Sequence, residues 1–121
     1  MTVSVKANPP NCLVAIAGSP TAAPRSMPSE PAVAATRGCV VVGCMPDCDG
    51  PTEITMGQTS AIKSDGHFIF DGMIDTPNRI VAVWTVEWRK LLEASVPATR
   101  TRVRVWVNRL IVPDEVIIGL G

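Results

Sequence analysis

The chain has 121 residues, and 46% of them are hydrophobic, which is too many for a disordered chain and enough for one domain with a buried core. Eleven prolines and nine glycines exceed what a helical bundle tolerates and indicate a chain that turns often. Eleven lysines and arginines balance eleven acidic residues, and this zero net charge argues against a dedicated nucleic-acid-binding protein.

The apolar runs of the chain are short. Those at 13–17 and 40–42 fall far below the roughly 18 residues that a membrane-spanning helix needs. Residues 1–6 lack the basic-then-apolar layout of a signal peptide. We therefore expect a cytoplasmic protein that does not associate with a membrane.

Alternating apolar and polar residues, separated by turn residues, divide the chain into short strands. In chain order the pattern predicts strands at 2–7, 12–17, 39–42, 52–56, 67–74, 79–86, 100–108 and 116–120.

Three of these predictions concern how the strands are arranged. The turn residues at 8–11 predict that the first two strands form a hairpin. The Pro/Ala/Ser-rich stretch at 18–38 predicts a long loop, because proline removes backbone donors and blocks helix interiors. Strand 79–86 is apolar on both faces, which predicts a central position in its sheet.

A helix competes with a strand only at 87–93. Trp88, Leu91 and Leu92 have helical spacing there, but the window is too short for a stable isolated helix. We favour a turn that leads into a strand with Leu92 and Ala94 in phase.

The predicted fold is all-β: a single domain, 1–121, built as an antiparallel β-sandwich or small barrel of about seven to nine short strands. At most one short helix is expected, near 87–93. In the strand at 67–74, Phe68 and Phe70 are expected on one face, with Gly72 as a further member.

The strand at 100–108 carries the candidate binding residues. Its valines occupy every second position, so the opposite face presents Arg100, Arg102, Arg104 and Trp106. Arginine and tryptophan are enriched at binding hot spots because both combine a large contact area with a polar group. We therefore predict a protein-binding surface at these four residues.

A structural interpretation of the same residues remains open. The arginines would then pair with carboxylates on neighbouring strands, such as Asp71 or Glu93, as charged residues commonly do across a sheet. Trp106 would then lie at a barrel end or under the loop at 18–38.

Cysteine and acidic residues offer two weak metal hypotheses. The even count of Cys12, Cys39, Cys44 and Cys48 is compatible with two disulfides in an exported protein, and their spacing lacks the two tight pairs typical of zinc sites. Reduced, partly buried thiols are the preferred interpretation. The stretch 47–53 resembles the start of a calcium loop but lacks its later oxygen ligands, so a tight turn is favoured. We predict no metal and no cofactor.

Three functional hypotheses follow. The first is a non-enzymatic β-domain that acts by protein–protein binding or self-association, as an accessory, immunity or inhibitor-like protein. Its partner would be another protein or a second copy in a homo-oligomer, with no nucleic acid and no membrane. The first alternative is a small-molecule or carbohydrate-binding sandwich that uses Trp84, Trp88 or Trp106 for stacking. The second alternative is a small hydrolase or isomerase centred on His67, the only histidine.

Overall fold

A computed structural model gives the fold of the chain. It describes residues 2–7, 13–18, 33–35, 39–43, 51–62, 66–85, 89–109 and 113–121. None of these residues forms a helix that is long and apolar enough to cross a membrane.

Ten strands account for most of the described residues. They are β1 (Thr2–Ala7), β2 (Leu13–Ala17), β3 (Val33–Ala35), β4 (Cys39–Gly43), β5 (Thr52–Gln58), β6 (His67–Asp75), β7 (Ile80–Thr85), β8 (Lys90–Ser95), β9 (Arg100–Val107) and β10 (Glu115–Leu120).

The strands form two five-stranded sheets. Sheet A has the order β1-β5-β10-β9-β6, and sheet B has the order β3-β4-β2-β7-β8. All hydrogen-bonded pairs are antiparallel except β5 with β10, which run parallel. The all-β prediction is confirmed, and the interior position predicted for the strand at 79–86 is that of β7. The tenth strand, β3, has only three residues and lies within the stretch predicted as a long loop. Most of that stretch lies outside the described residues.

Aliphatic side chains from both sheets fill the space between them. Valines and isoleucines dominate this core because β-branched side chains suit the pleated surface of a strand. Sheet B contributes pairs such as Val14 and Ile16, and sheet A contributes Val103, Val105 and Ile118, all fully buried.

The N-terminal hairpin prediction is wrong. The two strands themselves are present as β1 and β2, but β1 pairs with β5 in sheet A and β2 pairs with β4 and β7 in sheet B. A turn between neighbouring strands predicts where the chain reverses. It does not reveal that the next strand belongs to the opposite sheet.

The segment at 87–93 continues into a strand, as favoured. β8 begins at Lys90 and pairs antiparallel with β7, and the amide of Thr85 donates to the carbonyl of Arg89 at 2.9 Å. Residues 86–88, which include part of the predicted turn, lie outside the described part of the chain.

Two connections cross between the sheets side by side, from β6 to β7 and from β8 to β9. The amide of Thr76 donates to the carbonyl of Thr99 at 2.8 Å, and the amide of Val96 donates to the carbonyl of Arg79 at 3.0 Å. The buried hydroxyl of Thr76 bonds the carbonyl of Ala98 at 2.8 Å and lies 3.0 Å from the hydroxyl of Thr101. These bonds fix the end of the sandwich where β6 and β9 pair at Asp75 and Arg100.

Candidate functional site

Strand β9 divides its side chains between the core and the outer face of sheet A, as its alternation predicts. Val103 and Val105 are buried between the sheets. Arg102 and Arg104 point to the opposite side, where the first is exposed and the second is half-buried. Arg100, at the start of the strand, is exposed.

The arginines of β9 pair with the carboxylates of β6. Asp71 accepts two hydrogen bonds from the Arg102 guanidinium, at 2.7 Å to Nε and 2.5 Å to Nη2. Arg104 Nε lies 3.8 Å from the same carboxylate, and Arg100 Nε lies 3.6 Å from Asp75. Pairing with Asp71, one of the two carboxylates expected from sequence, is therefore present. Glu93, the other one, pairs instead with Lys90 on its own strand at 2.9 Å.

The electrostatics of Asp71 agree with its hydrogen bonding to Arg102. The hydrogen bond from Arg102 is the main cause that holds the pKa of the Asp71 carboxyl below its usual range; desolvation opposes it, and the charges of Arg102 and Arg104 add to the lowering. The same bond raises the pKa of the Arg102 guanidinium. Arg102 is thus paired and oriented, whereas Arg104 lies 3.8 Å from Oδ2, the oxygen that already accepts a hydrogen bond from Arg102 Nη2.

Trp106 lies on the same outer face but is largely covered. Its side chain is only 9% exposed, and its ring lies against Phe68 with the centroids 5.2 Å apart. On β10, a Cβ atom at Gly119 would approach the indole to 3.0 Å and Ile62 to 3.2 Å, so the tryptophan lies in a shallow seat that glycine makes possible. Trp106 was expected to be exposed on this face. The exposed aromatic ring there is instead that of Phe68, which covers Trp106.

Two exposed hydrophobic side chains complete this face, and sequence reasoning did not single them out. Phe68 is 53% exposed and Met73 is 45% exposed, both on β6. The register of β6 against β9 shifts between Phe68 and Phe70, which places Phe68 opposite Trp106 and Phe70 opposite Val105. The two phenylalanines therefore lie on opposite faces, and the prediction that they share one face is wrong. The bulge that separates them has no composition signal in the sequence.

We call this surface the outer-face patch. It consists of Phe68, Met73, Arg100, Arg102 and Arg104, with Trp106 beneath it.

A groove of about 950 Å³ lies near the patch. Val3, Ala94, Val96 and Leu120 give it apolar walls, and Arg104 and Glu93 are its charged residues. It runs where β1 of sheet A approaches β8 of sheet B, and we call it the edge groove.

The tryptophan-platform hypothesis receives no support from the described residues. Trp84 is half-buried, carries the Lys90 ammonium 5.2 Å from its ring centroid, and donates from Nε1 to the Ala17 carbonyl at 3.4 Å. Trp106 is covered by Phe68. Neither of these tryptophans lines the edge groove, and Trp88 lies outside the described residues.

The histidine and cysteine residues considered as catalytic or metal-binding groups do not form a site among the described residues. His67 is exposed at the start of β6, and its side chain makes no hydrogen bond or ion pair with the residues that the structure describes. Cys39 is a free, buried thiol whose pKa is raised to about 11 by burial. Cys12, Cys44 and Cys48 lie outside the described part of the chain. Within that part, no group of three or more histidine, cysteine or acidic residues could hold a metal ion.

Comparison with known proteins adds one structural similarity. No protein-family model matches the chain, and no curated protein matches it. Among solved structures, the fold is similar to that of ComJ from Bacillus subtilis, described as the inhibitor of the DNA-degrading activity of NucA. The superposition has a TM-score of 0.71 and covers 98% of this chain and 93% of ComJ, at 10% sequence identity. At that identity the two proteins are shown to share a fold.

Proposed function

We propose that this protein is a non-enzymatic, inhibitor-like protein that binds another protein through the outer-face patch. The observation that carries the proposal is the exposure of Phe68 and Met73 beside a row of arginines on one face of the sandwich. Exposed apolar side chains among oriented arginines are the composition typical of the centre of a protein interface.

The two outer faces of the sandwich differ, and the difference supports this choice of surface. On sheet B, Ala15, Ala17, Cys39 and Val41 point away from the main core and form a second buried cluster. On sheet A the corresponding side presents large apolar and charged groups to solvent. The outer face of sheet A is therefore the one that offers a partner both exposed apolar area and exposed arginine side chains.

Arg102 is suited to recognition because its orientation is already fixed. The two hydrogen bonds that Arg102 donates to Asp71 hold the guanidinium in one geometry, so less side-chain entropy is lost when a partner binds. Met73 stands directly opposite Arg102 in the β6–β9 register and can adapt its shape to a partner surface.

The fold shared with ComJ supports an inhibitor-like role, and a nuclease is the first class of partner to test. In such a complex the protein would block the enzyme sterically, because the described residues offer no catalytic constellation of their own. Self-association through the same patch remains the other form of the proposal, and light scattering at micromolar concentration measures it directly.

Site-specific photo-crosslinking tests the proposal. A photoreactive residue is placed at Met73, on the patch, and in a matched variant at Pro51, an exposed residue that belongs neither to the patch nor to the residues lining the edge groove. In an extract of the source organism, we expect one protein adduct at position 73 that is absent at position 51. Excess unlabelled wild-type protein should compete with the adduct, whereas a Phe68→Ser/Met73→Ser variant should not.

The adduct's identity then separates the alternatives. A captured nuclease whose DNA degradation stops on stoichiometric addition of the wild-type protein, but not of the double variant, supports the inhibitor role. An adduct formed only with a second copy of the chain replaces it with self-association. Equal labelling from positions 73 and 51, with no competition, overturns the proposal.

A further inference from the structure

The edge groove runs along the open side of strand β8. Five consecutive residues, from Glu93 to Pro97, line it, and the first three of them are the last three residues of β8. Successive side chains of a strand point to opposite faces, so three consecutive strand residues in one groove indicate that the groove follows the backbone edge of β8 there. The backbone edge of β8 therefore forms part of the groove wall, together with the side chains that line it.

Along that edge of β8, the backbone amides and carbonyls have no strand hydrogen-bonded to them among the described residues. β8 is the last strand of sheet B and pairs with β7 on one side only. Within the residues that the structure describes, no strand bonds to its other side. Unpaired amides and carbonyls in a row favour an occupant that supplies the complementary row, and an extended peptide supplies it at the right spacing.

The side chains of the groove add two requirements for its occupant. Val3, Ala94, Val96 and Leu120 favour apolar side chains at alternate positions of an added strand. Arg104 brings a positive charge to the groove, and its ion pair with Asp71 is long, at 3.8 Å, because that carboxylate accepts the two short hydrogen bonds from Arg102.

The acidic residue of the groove does not balance Arg104. Glu93 is held by Lys90 at 2.9 Å, so its charge is already compensated. An occupant that carries a carboxylate near Arg104 would complete the pairing.

We propose that the edge groove binds an extended, acidic segment of the protein partner, which adds to sheet B as a strand beside β8. This inference rests on the proposed protein-binding function and gives the partner a chemistry: about six residues, alternately apolar, with one carboxylate placed at Arg104. Six residues match the length of β8 and span roughly 20 Å.

A displayed library of random nine-residue peptides, selected on the full-length protein, tests the inference. Enriched peptides should alternate apolar residues and contain aspartate or glutamate. Arg104→Gln should weaken their binding at least roughly 10-fold, the effect of one charge-assisted contact. The matched control is Arg109→Gln, which removes an exposed arginine that lies 3.5 Å from Asp114 and is not among the groove residues.

Two further measurements separate strand addition from other modes of binding. Two N-methylated versions of a peptide are compared, one methylated at the odd-numbered amides and one at the even-numbered amides. One version should lose binding and the other should keep it, because only one of the two sets of amides faces β8. Hydrogen exchange should slow at Lys90–Ser95 when peptide is added. Binding that ignores N-methylation, a library without enrichment, or enriched peptides without acidic residues each overturns the inference.

The outcomes also distinguish this inference from the proposed function. Protection of Lys90–Ser95 that rises with protein concentration alone would make a second copy the occupant and would overturn it. If position 73 cross-links to a partner and the groove takes no peptide, the protein-binding function stands and the groove inference fails. If the groove takes peptide and position 73 captures nothing, the groove binds peptide without the proposed docking face.

Discussion

Replacement of Trp106 by alanine separates a contact role from a structural one. An indole that is 9% exposed buries about 150 Å² more than the methyl group that replaces it. At about 25 cal/mol per Å² this corresponds to roughly 4 kcal/mol, and compactness of the unfolded chain reduces the expected loss to about 3 kcal/mol. A 121-residue domain has an unfolding entropy of about 0.25 kcal/mol/K, so Trp106→Ala should lower the melting temperature by roughly 12 °C.

Phe68→Ala is the matched control for this experiment. Phe68 forms the other half of the ring pair but is already 53% exposed, so its loss should lower the free energy of unfolding by about 1 kcal/mol and the melting temperature by roughly 4 °C. Calorimetry of both variants measures the difference. A Trp106→Ala variant that melts within 3 °C of the wild type would refute the seat formed by Gly119 and Ile62 as the source of its stability.

Three further predictions follow from individual residues. Because the folded-state pKa of Asp71 lies below its ordinary value of 3.8, its ionised form stabilises the fold at neutral pH, and this contribution disappears as pH falls through the lowered pKa. Asp71→Asn should therefore lower the urea midpoint at pH 7 and converge with the wild type in acid; a constant difference across pH would contradict the Arg102 pairing. Cys39 should escape alkylation at pH 8 until the protein is unfolded, since burial raises its pKa to about 11; mass spectrometry that finds it modified in the native state would disprove its burial. Gly66 has φ +99°, and a Cβ there would collide with the Val107 carbonyl, so Gly66→Ala should cost about 2 kcal/mol, and an unchanged melting temperature would contradict this turn geometry.

The sequence predicted most strands because side-chain alternation is a local property. The alternation of β9 placed Val103 and Val105 in the core and the arginines outside, and both are found there. Strand partners depend on contacts between distant parts of the chain. Nothing near Val3 or Val14 indicates that β1 joins β5 in one sheet while β2 joins β4 in the other.

The sequence predicted which face of β9 carries the candidate binding residues, but not the exposed side chains that lie beside them. The four residues on β9 were found from their phase, yet the groups available to a partner include Phe68 and Met73 on β6. Phe68 reaches the surface because the register shifts beside it, and a bulge moves every following side chain to the other face without changing composition. Trp106 was singled out for its chemistry, but its cover and its seat come from β6 and β10, which are remote in sequence.

The hydrogen bonding of Asp71 gives Arg102, on the outer-face patch, and Arg104, at the edge groove, different environments. In the β6–β9 register Asp71 stands directly opposite Arg104, but its two short bonds go to the diagonal neighbour, Arg102. That choice fixes Arg102 among the exposed side chains of the outer-face patch and leaves the half-buried Arg104 with a contact of 3.8 Å beside the edge groove. One carboxylate therefore leaves neighbouring arginines in different states: a guanidinium on the patch that is oriented by two short hydrogen bonds, and one at the groove that has only a longer ion pair. A partner that covers both surfaces would need a carboxylate only at the second.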